Sequence, residues 1–325
     1  MMAKQSVLLI GATGRTGSRA TTSLTAVAGV RPSSASKPEV GALKAREVEV
    51  CLLDVVGWSV DQIVEPLKGI DIVISTIYFR DIQHQKHLVD ACKKTGVKRL
   101  VPNDWGTACV RGVRQLHDEK LAVHDYIKEI GLGYTFIDVG WWLVNDLSMY
   151  SLEEYIELRY RMQITLPYTE TSKSPGIEGP IETFMRSSLK SFYGAGNAKC
   201  AVTDRRDIGK FVARILADER TLNQYVFCWT EEVTQTEVFD LAERIAGRKL
   251  EKVHVSAEQL AERIQDAKEG IETSDSEYAY SIWIRGDNTV ENAKKEEYGS
   301  ALDARELYPE LGKELTFLEA WAREF

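Results

Sequence analysis

Through residues 1–140 short apolar runs alternate with amphipathic stretches across brief, punctuated connections, and few folds accept that order. The runs at 7–10, 50–53, 70–75, 99–101 and 134–139 are apolar nearly throughout, as strands buried on both faces must be. Between them, residues 59–68 open on Ser59, a good N-cap, and residues 82–94 stop short of Gly96, a good C-cap. Both read as crossover helices, and the expected class is α/β with a doubly wound parallel sheet. Residues 18–30 are a tight fit, because they must supply the first crossover helix and the second strand. The helix is expected to be short, and Gly29 to leave the strand weak or bulged.

Beyond residue 140 the alternation loosens. Residues 150–162, 181–192, 207–217 and 234–246 carry helical periodicity, 165–180 read as an exposed loop, and 267–277 as a mobile one. A chain of 325 residues with 44% hydrophobic content can bury two cores. Residues 1–145 are expected to bind a nucleotide and 146–325 a substrate, with segments such as 200–217 packing back on the first part. A net charge of −8 without a basic tract argues against a nucleic-acid partner. No run approaches the roughly 20 apolar residues of a membrane span, and residues 1–5 leave no room for a signal peptide. A soluble, cytoplasmic protein is expected. The five cysteines are scattered, with no Cys-x-x-Cys, and fit reduced thiols. His84 and His87 share a helix face without a third ligand nearby, so no metal is expected.

The first apolar run is followed by Gly11-Ala12-Thr13-Gly14-Arg15-Thr16-Gly17. After a strand and before a helix, such a turn lets the backbone bend tightly and brings main-chain N–H groups and a helix N-terminus to a pyrophosphate. Glycine-rich turns also arise for steric reasons alone, but this one stands where a dinucleotide fingerprint belongs. Gly11, Thr13, Gly14, Arg15, Thr16 and Gly17 are therefore the expected cofactor cradle. A basic residue about 20 positions on favours a 2′-phosphate over a bare ribose. Arg31 occupies that place, with Lys37 beyond it and no acid, which points to NADP(H). The alternative is that both are solvated surface charges.

Residues 116–131 read as a helix whose inward stripe is Leu116, Lys120, Val123, Ile127 and Ile130. A lysine in a core-facing slot must find a polar partner or lose its proton, which suits a proton donor. Snorkelling from the edge of the stripe is the plainer alternative. Trp141 and Trp142 follow the last of these apolar runs, 134–139, at the end of the sheet where ligands bind. With Trp105, Tyr150 and Tyr168 they can wall a pocket for a flat aromatic molecule, or simply pack the core. Adjacent strand residues point to opposite sides, so at most one of Trp141 and Trp142 faces that pocket.

GATGRTG at 11–17, VKRLVPNDWG at 97–106, HDEKLAVHDYIKEIGLGYTFI at 117–137 and VTDRRDIGKFVARILADERTLNQ at 202–224 together resemble the NmrA-like atypical short-chain dehydrogenases. The likeness is to the isoflavone reductase and phenylcoumaran benzylic ether reductase branch, and runs on through GDN at 286–288 and ELYPEL at 306–311. It implies a Rossmann domain with a smaller, partly interleaved C-terminal substrate domain, and NADPH as cofactor. It also places the branch's catalytic lysine on Lys120, its 2′-phosphate contacts on Arg31 and Lys37, and a backbone approach to the cofactor on Thr76. The loop that usually reads Pro-Ser-Glu-Phe-Gly is Pro102-Asn103-Asp104-Trp105-Gly106 here. Asn103 and Trp105 are assigned to the cofactor, and Asp104, again with Trp105, to the substrate. The expected activity is reduction of an aromatic or alkaloid-like secondary metabolite beside Lys120. A cofactor-assisted isomerisation or cyclisation, and an NADP-sensing regulator without turnover, are the competing expectations. The expected partner is a small aromatic molecule, with a homodimer left open.

Overall fold

The computed structural model describes residues 5–14, 16–18, 26–142, 191–246, 249, 252–266 and 271–311. Five parallel strands form its centre: β1 (Val7–Ile10), β2 (Val27–Val30), β3 (Val50–Leu52), β4 (Ile72–Ser75) and β5 (Arg99–Val101), in the order β3-β2-β1-β4-β5. A parallel bridge from Leu100 to Tyr134 carries the array on to β6 (Thr135–Asp138). Beyond β6 lie β10 (Gln224–Phe227) and β13 (Leu302–Asp303), also parallel, so the second half of the chain returns to the sheet twice. The strand order reverses between β1 and β4. In open parallel sheets a ligand crevice forms there, at the carboxyl ends of the strands.

Alternate residues of each central strand feed different cores. Leu9, Ile72, Ile74 and Ile137 pack on one face, Leu8, Ile10, Val73 and Phe136 on the other. The second face is covered by α2 (Val60–Leu67), α3 (Gln85–Thr95) and α4 (Gln115–Glu129), through Ile63, Leu67, Leu88, Val89, Val123 and Ile127. The first is covered by α1 (Pro38–Ala45) and α5 (Arg205–Leu216), the latter through Ile208, Phe211, Val212 and Ile215. Each fully buried aliphatic side chain contributes about 1.5–3 kcal/mol, which is why continuous apolar runs mark these strands.

Local signals set the element ends. Ser59 and Gln62 form a reciprocal capping box at the start of α2. Gly96, at φ 75°, closes α3 with its N–H on the Cys92 carbonyl. A 3-10 turn over Phe79–His84 delays the start of α3 to Gln85.

Three expectations are corrected. β2 is neither weak nor bulged: it pairs in unbroken register with β1 and β3, and that two-sided pairing fixes what Gly29 alone would loosen. Residues 271–277 belong to α8 (Ile271–Ala279), not to a loop. There the Glu277 carboxylate accepts from the Gln115 N–H, and Ala279 packs with Val255 of β12 (Val253–Val255) and Leu260 of α7 (Ala257–Asp266). Ser191 and Phe192 lie in β8 (Ser191–Tyr193), which pairs with β12, rather than in a helix. The readings made for residues 19–25, 150–162, 165–180, 181–190 and 267–270 fall outside the described residues.

The remaining strands, β7 (Trp141–Trp142), β9 (Lys199–Thr203) and β11 (Glu231–Thr234), form a separate three-stranded sheet in the order β11-β9-β7. α6 (Gln235–Ala246) follows β11 directly. No described helix is long and apolar enough to cross a membrane.

Because Phe211 anchors α5 in the sheet's core, Phe211→Ala is expected to cost about 3–5 kcal/mol. The check is the urea midpoint; a loss below about 1 kcal/mol would show α5 to be a peripheral element.

Candidate active site

The glycine-rich turn is clasped from both sides. Gly11 has φ 79°, and a Cβ there would stand 2.5 Å from the Thr76 carbonyl oxygen. The Gly11 N–H donates to the Gly29 carbonyl at the end of β2, 3.1 Å. On the β4 side the Thr76 hydroxyl donates to the carbonyls of Ile10 and Gly11, at 2.7 and 3.1 Å. A Cβ on Gly17 would run into the Gly11 carbonyl. Only glycine permits this closeness, and Gly14, with Thr13 beside it, is left on the open rim. Thr16 is buried, and Arg15 lies outside the described residues. Arg31 follows β2 directly and Lys37 caps α1; both are exposed beyond the strand end that abuts the turn.

Lys120 lies on the inner face of α4, 8% exposed, and its ammonium donates to the carbonyl of Asp104. A Cβ on Gly106 would stand 2.9 Å from Lys120 Nζ and 3.2 Å from Asp138 Oδ1, so the ammonium and a carboxylate flank the same glycine. Both Asp138 oxygens are engaged: Oδ1 accepts from the Gly106 N–H and Oδ2 from the Tyr225 hydroxyl, each at 2.7 Å. Burial pushes this carboxyl up, but the Lys120 charge and the Tyr225 hydrogen bond outweigh it and hold Asp138 below the usual range.

Asp104 behaves in the opposite way. Its Oδ1 meets His124 Nε2 at 2.8 Å, its Oδ2 is buried without a partner, and burial holds its carboxyl above the ordinary value despite the His124 contact. The His124 ring is fixed in turn by stacking on Phe136, 3.5 Å between centroids. His117, one turn before Lys120, is pushed down to about 3 by burial and then by the Arg114 charge, so it is neutral near pH 7.

Trp105 joins the two regions. It has φ 42°, a left-handed backbone that an aromatic residue adopts only under constraint, and this φ orients the peptide whose carbonyl accepts from Lys120. The constraint is visible on both sides: its N–H donates to the Ile137 carbonyl at 3.0 Å and its indole Nε1 to the Ser75 carbonyl at 2.8 Å. At 4% exposure the indole is part of the core, packed with Leu9, Ile74 and Val139. The indole thus packs the core, and its link to Lys120 runs through the Asp104 carbonyl.

Asn103 braces the same loop, with its side-chain amide donating to the Ile77 carbonyl and its N–H to Gln85 Oε1. Trp141, in β7, is half-buried and lies 6.0 Å from the ring of Tyr278. Trp142 is the next residue of that strand, and Tyr150 and Tyr168 lie outside the described residues. The structure thus gathers Thr76, Asn103, Asp104, Trp105 and Lys120 at the carboxyl ends of β4, β5 and β6. Asp138 and Tyr225 join them unforeseen. An acid closing an otherwise apolar strand at the ligand edge of a parallel sheet is the signal that marks Asp138. Tyr225, on a strand 87 residues away, leaves none.

The profile of the NmrA-like family matches residues 3–322. The chain is 31% identical over 324 residues to an asnovolin J 5',6'-dehydrogenase of Aspergillus novofumigatus, covering 94% of this chain and 90% of that protein. It is 28% identical over 325 residues to a phenylcoumaran benzylic ether reductase of Ginkgo biloba, covering 95% and 96%. Among solved structures, leucoanthocyanidin reductase of Vitis vinifera bound to NADPH aligns with a TM-score of 0.73 at 22% identity, over 98% of this chain and 99% of that one. That last likeness is one of fold.

His117 gives the site a pH signature. Its folded pKa is depressed from 6.5 to about 3, so between those values the unfolded chain binds a proton that the native one refuses, and stability falls as pH drops. From about pH 7.5 to pH 5 this group alone is expected to remove about 2 kcal/mol. In urea titrations at both pH values, His117→Gln should lose correspondingly less stability than the wild type; an identical loss would mean that the imidazole protonates freely in the fold.

Proposed function

Because the chain belongs to the NmrA-like family, we propose that it is an NADP(H)-dependent oxidoreductase acting on an aromatic secondary metabolite, with Lys120 at the reacting centre. The observation that carries this reading is the buried Lys120 ammonium, pinned by the Asp104 carbonyl next to the Asp138 carboxylate at the ligand edge of the sheet. A buried lysine beside a carboxylate has little purpose in a protein that only senses a nucleotide.

The residues present fit the dinucleotide. A cradle in which no Cβ is tolerated at Gly11 or Gly17 leaves main-chain N–H groups and a helix start open to a pyrophosphate. Arg31 and Lys37, exposed past the end of β2, are placed for a 2′-phosphate. Residues 1–145 would hold the cofactor and 146–325 most of the substrate.

When bound, the nicotinamide supplies or accepts the hydride. The protein's part is proton management: Lys120 holds a proton at Nζ and passes it to a substrate oxygen or nitrogen as charge develops there. Asp138 balances the ammonium, and Tyr225 and Gly106 keep that carboxylate in place. The relatives include both dehydrogenases and reductases by name, so the chemistry is assigned without a preferred direction.

Incubating the protein with NADPH and a panel of aromatic enones and imines, and following the absorbance of the reduced nicotinamide, tests the reaction. Substrate-dependent oxidation is expected; product without net oxidation would favour a cofactor-assisted rearrangement, and NADPH binding without any turnover a regulator. Lys120→Ala should lower kcat by roughly 10²- to 10⁴-fold with NADPH binding kept. Unchanged turnover would remove Lys120 from the mechanism. Arg31→Ala should weaken NADPH about 10- to 100-fold and NADH hardly at all. Equal losses would sink the 2′-phosphate assignment.

A further inference from the structure

Among the described residues Arg114 is the largest side chain buried completely, 1% exposed, at the N-cap of the helix that carries Lys120. Buried guanidinium groups are ordinarily matched by a carboxylate, since an uncompensated buried charge is costly. None of the described residues pairs with this one as a salt bridge. Its Nη1 donates to the Thr107 hydroxyl at 2.6 Å and its Nη2 to the Thr107 carbonyl at 2.8 Å, both neutral acceptors. Its Nε is buried without a hydrogen-bond acceptor, and the Cys109 thiol lies beside the guanidinium. The Tyr278 ring covers one face, 4.2 Å from Cζ to the centroid, which compensates the charge only in part.

The groups that face Arg114 are Tyr278 and Glu277 on α8, Cys109 in the loop before α4, His117 on α4, Asp138 at the end of β6 and Tyr225 on β10. Asp138 and Glu277 are the carboxylates among them. The Asp138 oxygens are taken by Gly106 and Tyr225 and its charge is shared with Lys120, while Glu277 accepts from the Gln115 N–H. His117, held neutral, brings no second charge. Neither carboxylate forms a salt bridge with Arg114, and it is this cation that keeps an orphaned donor.

Its position matters equally. Tyr278 touches Arg114 on one side and Trp141, the aromatic residue expected to line the substrate pocket, on the other. Arg114 and Lys120 are six residues apart on one helix, about 9 Å along its axis. An aromatic ring with a short side chain covers that span.

We propose that Arg114 is an anion subsite of the substrate pocket that takes a carboxylate on an aromatic substrate. It rests on the oxidoreductase reading for the meaning of Lys120. The carboxylate accepts from Nε–H and from one of the two Nη N–H groups left free by Thr107, while the other end of the molecule reaches Lys120. The substrate class is then an aromatic acid rather than a neutral phenol.

The test uses trans-cinnamate and cinnamamide, equal in shape and different in charge, titrated calorimetrically into the full-length protein saturated with NADP+. The wild type is expected to bind the acid at least about ten-fold tighter than the amide, the gain typical of a charged hydrogen bond. Arg114→Gln should abolish that preference, and Arg114→Lys should restore part of it, with NADPH affinity unchanged in both. Equal binding of acid and amide by the wild type overturns the subsite, and needs no variant to fold. A preference that survives Arg114→Gln also overturns it, and assigns the attraction to Lys120. If NADPH binds normally and neither probe binds, the subsite fails and the oxidoreductase reading stands. If the wild type prefers cinnamate but binds no NADPH, the subsite stands and that reading fails.

Discussion

The hydrogen bond from the Lys120 ammonium to the Asp104 carbonyl is the contact on which the rest of the site depends, and it exists because Trp105 is held in a left-handed backbone. Such a conformation costs of order 1–3 kcal/mol at a non-glycine residue, so the surroundings must over-determine it. They do so through two strands. Ser75 at the end of β4 takes the indole N–H, and Ile137 in β6 takes the backbone N–H. The residue after Ser75 is Thr76, whose hydroxyl grips the Gly11 carbonyl. A line of hydrogen bonds and peptide links therefore runs from the glycine-rich turn through β4 to the lysine. Turn and lysine, more than 100 residues apart in sequence, are registered on the same strand end.

That registration requires a sheet that does not move. Each strand feeds side chains to both faces, and helices cover both, so a shift of β4 relative to β1 or β5 would expose apolar surface on two sides at once. Rigidity at the strand ends is what lets a few polar groups be held at hydrogen-bond distance in a buried setting, where a misplaced donor is expensive. The same setting separates the two acids. Asp138, with a cation beside it and both oxygens satisfied, is held ionised; Asp104, with one oxygen orphaned, is pushed towards its neutral form.

The central sheet was legible in the sequence because burial on both faces writes itself as continuous apolar runs, and because Ser59 and Gly96 mark helix ends with their own backbone chemistry. β2 was misjudged because Gly29 is weak only in isolation, and its stability comes from neighbours on either side. α8 was missed since its polar residues carry little helical periodicity, and packing by Ala279 and Tyr278 supplies what the pattern lacks. In the site, Lys120 was readable as a charge in an apolar stripe. Trp105 was readable as pocket wall or as core packing, and the structure buries its indole in the core. The partnership of Asp138 with Tyr225 depends on strand order, β10 beside β6, and no local pattern encodes that.

Asp138 shows how the two halves of the chain are made to cooperate. It ends a strand of the first half, yet its outer oxygen is held by Tyr225 from the second, on a strand that lies beside β6 only because the chain returns to the sheet. The carboxylate acts on both Lys120 and Arg114, which are carried by α4 and its cap, so its placement bears on both cations. Arg114 in turn is roofed by Tyr278, also from the second half. The charges of the site belong chiefly to the first half, while two tyrosines from the second fix where those charges act. A change in the docking of β10 or α8 would therefore be felt as a change in electrostatics at Lys120 before any contact to Lys120 itself was lost.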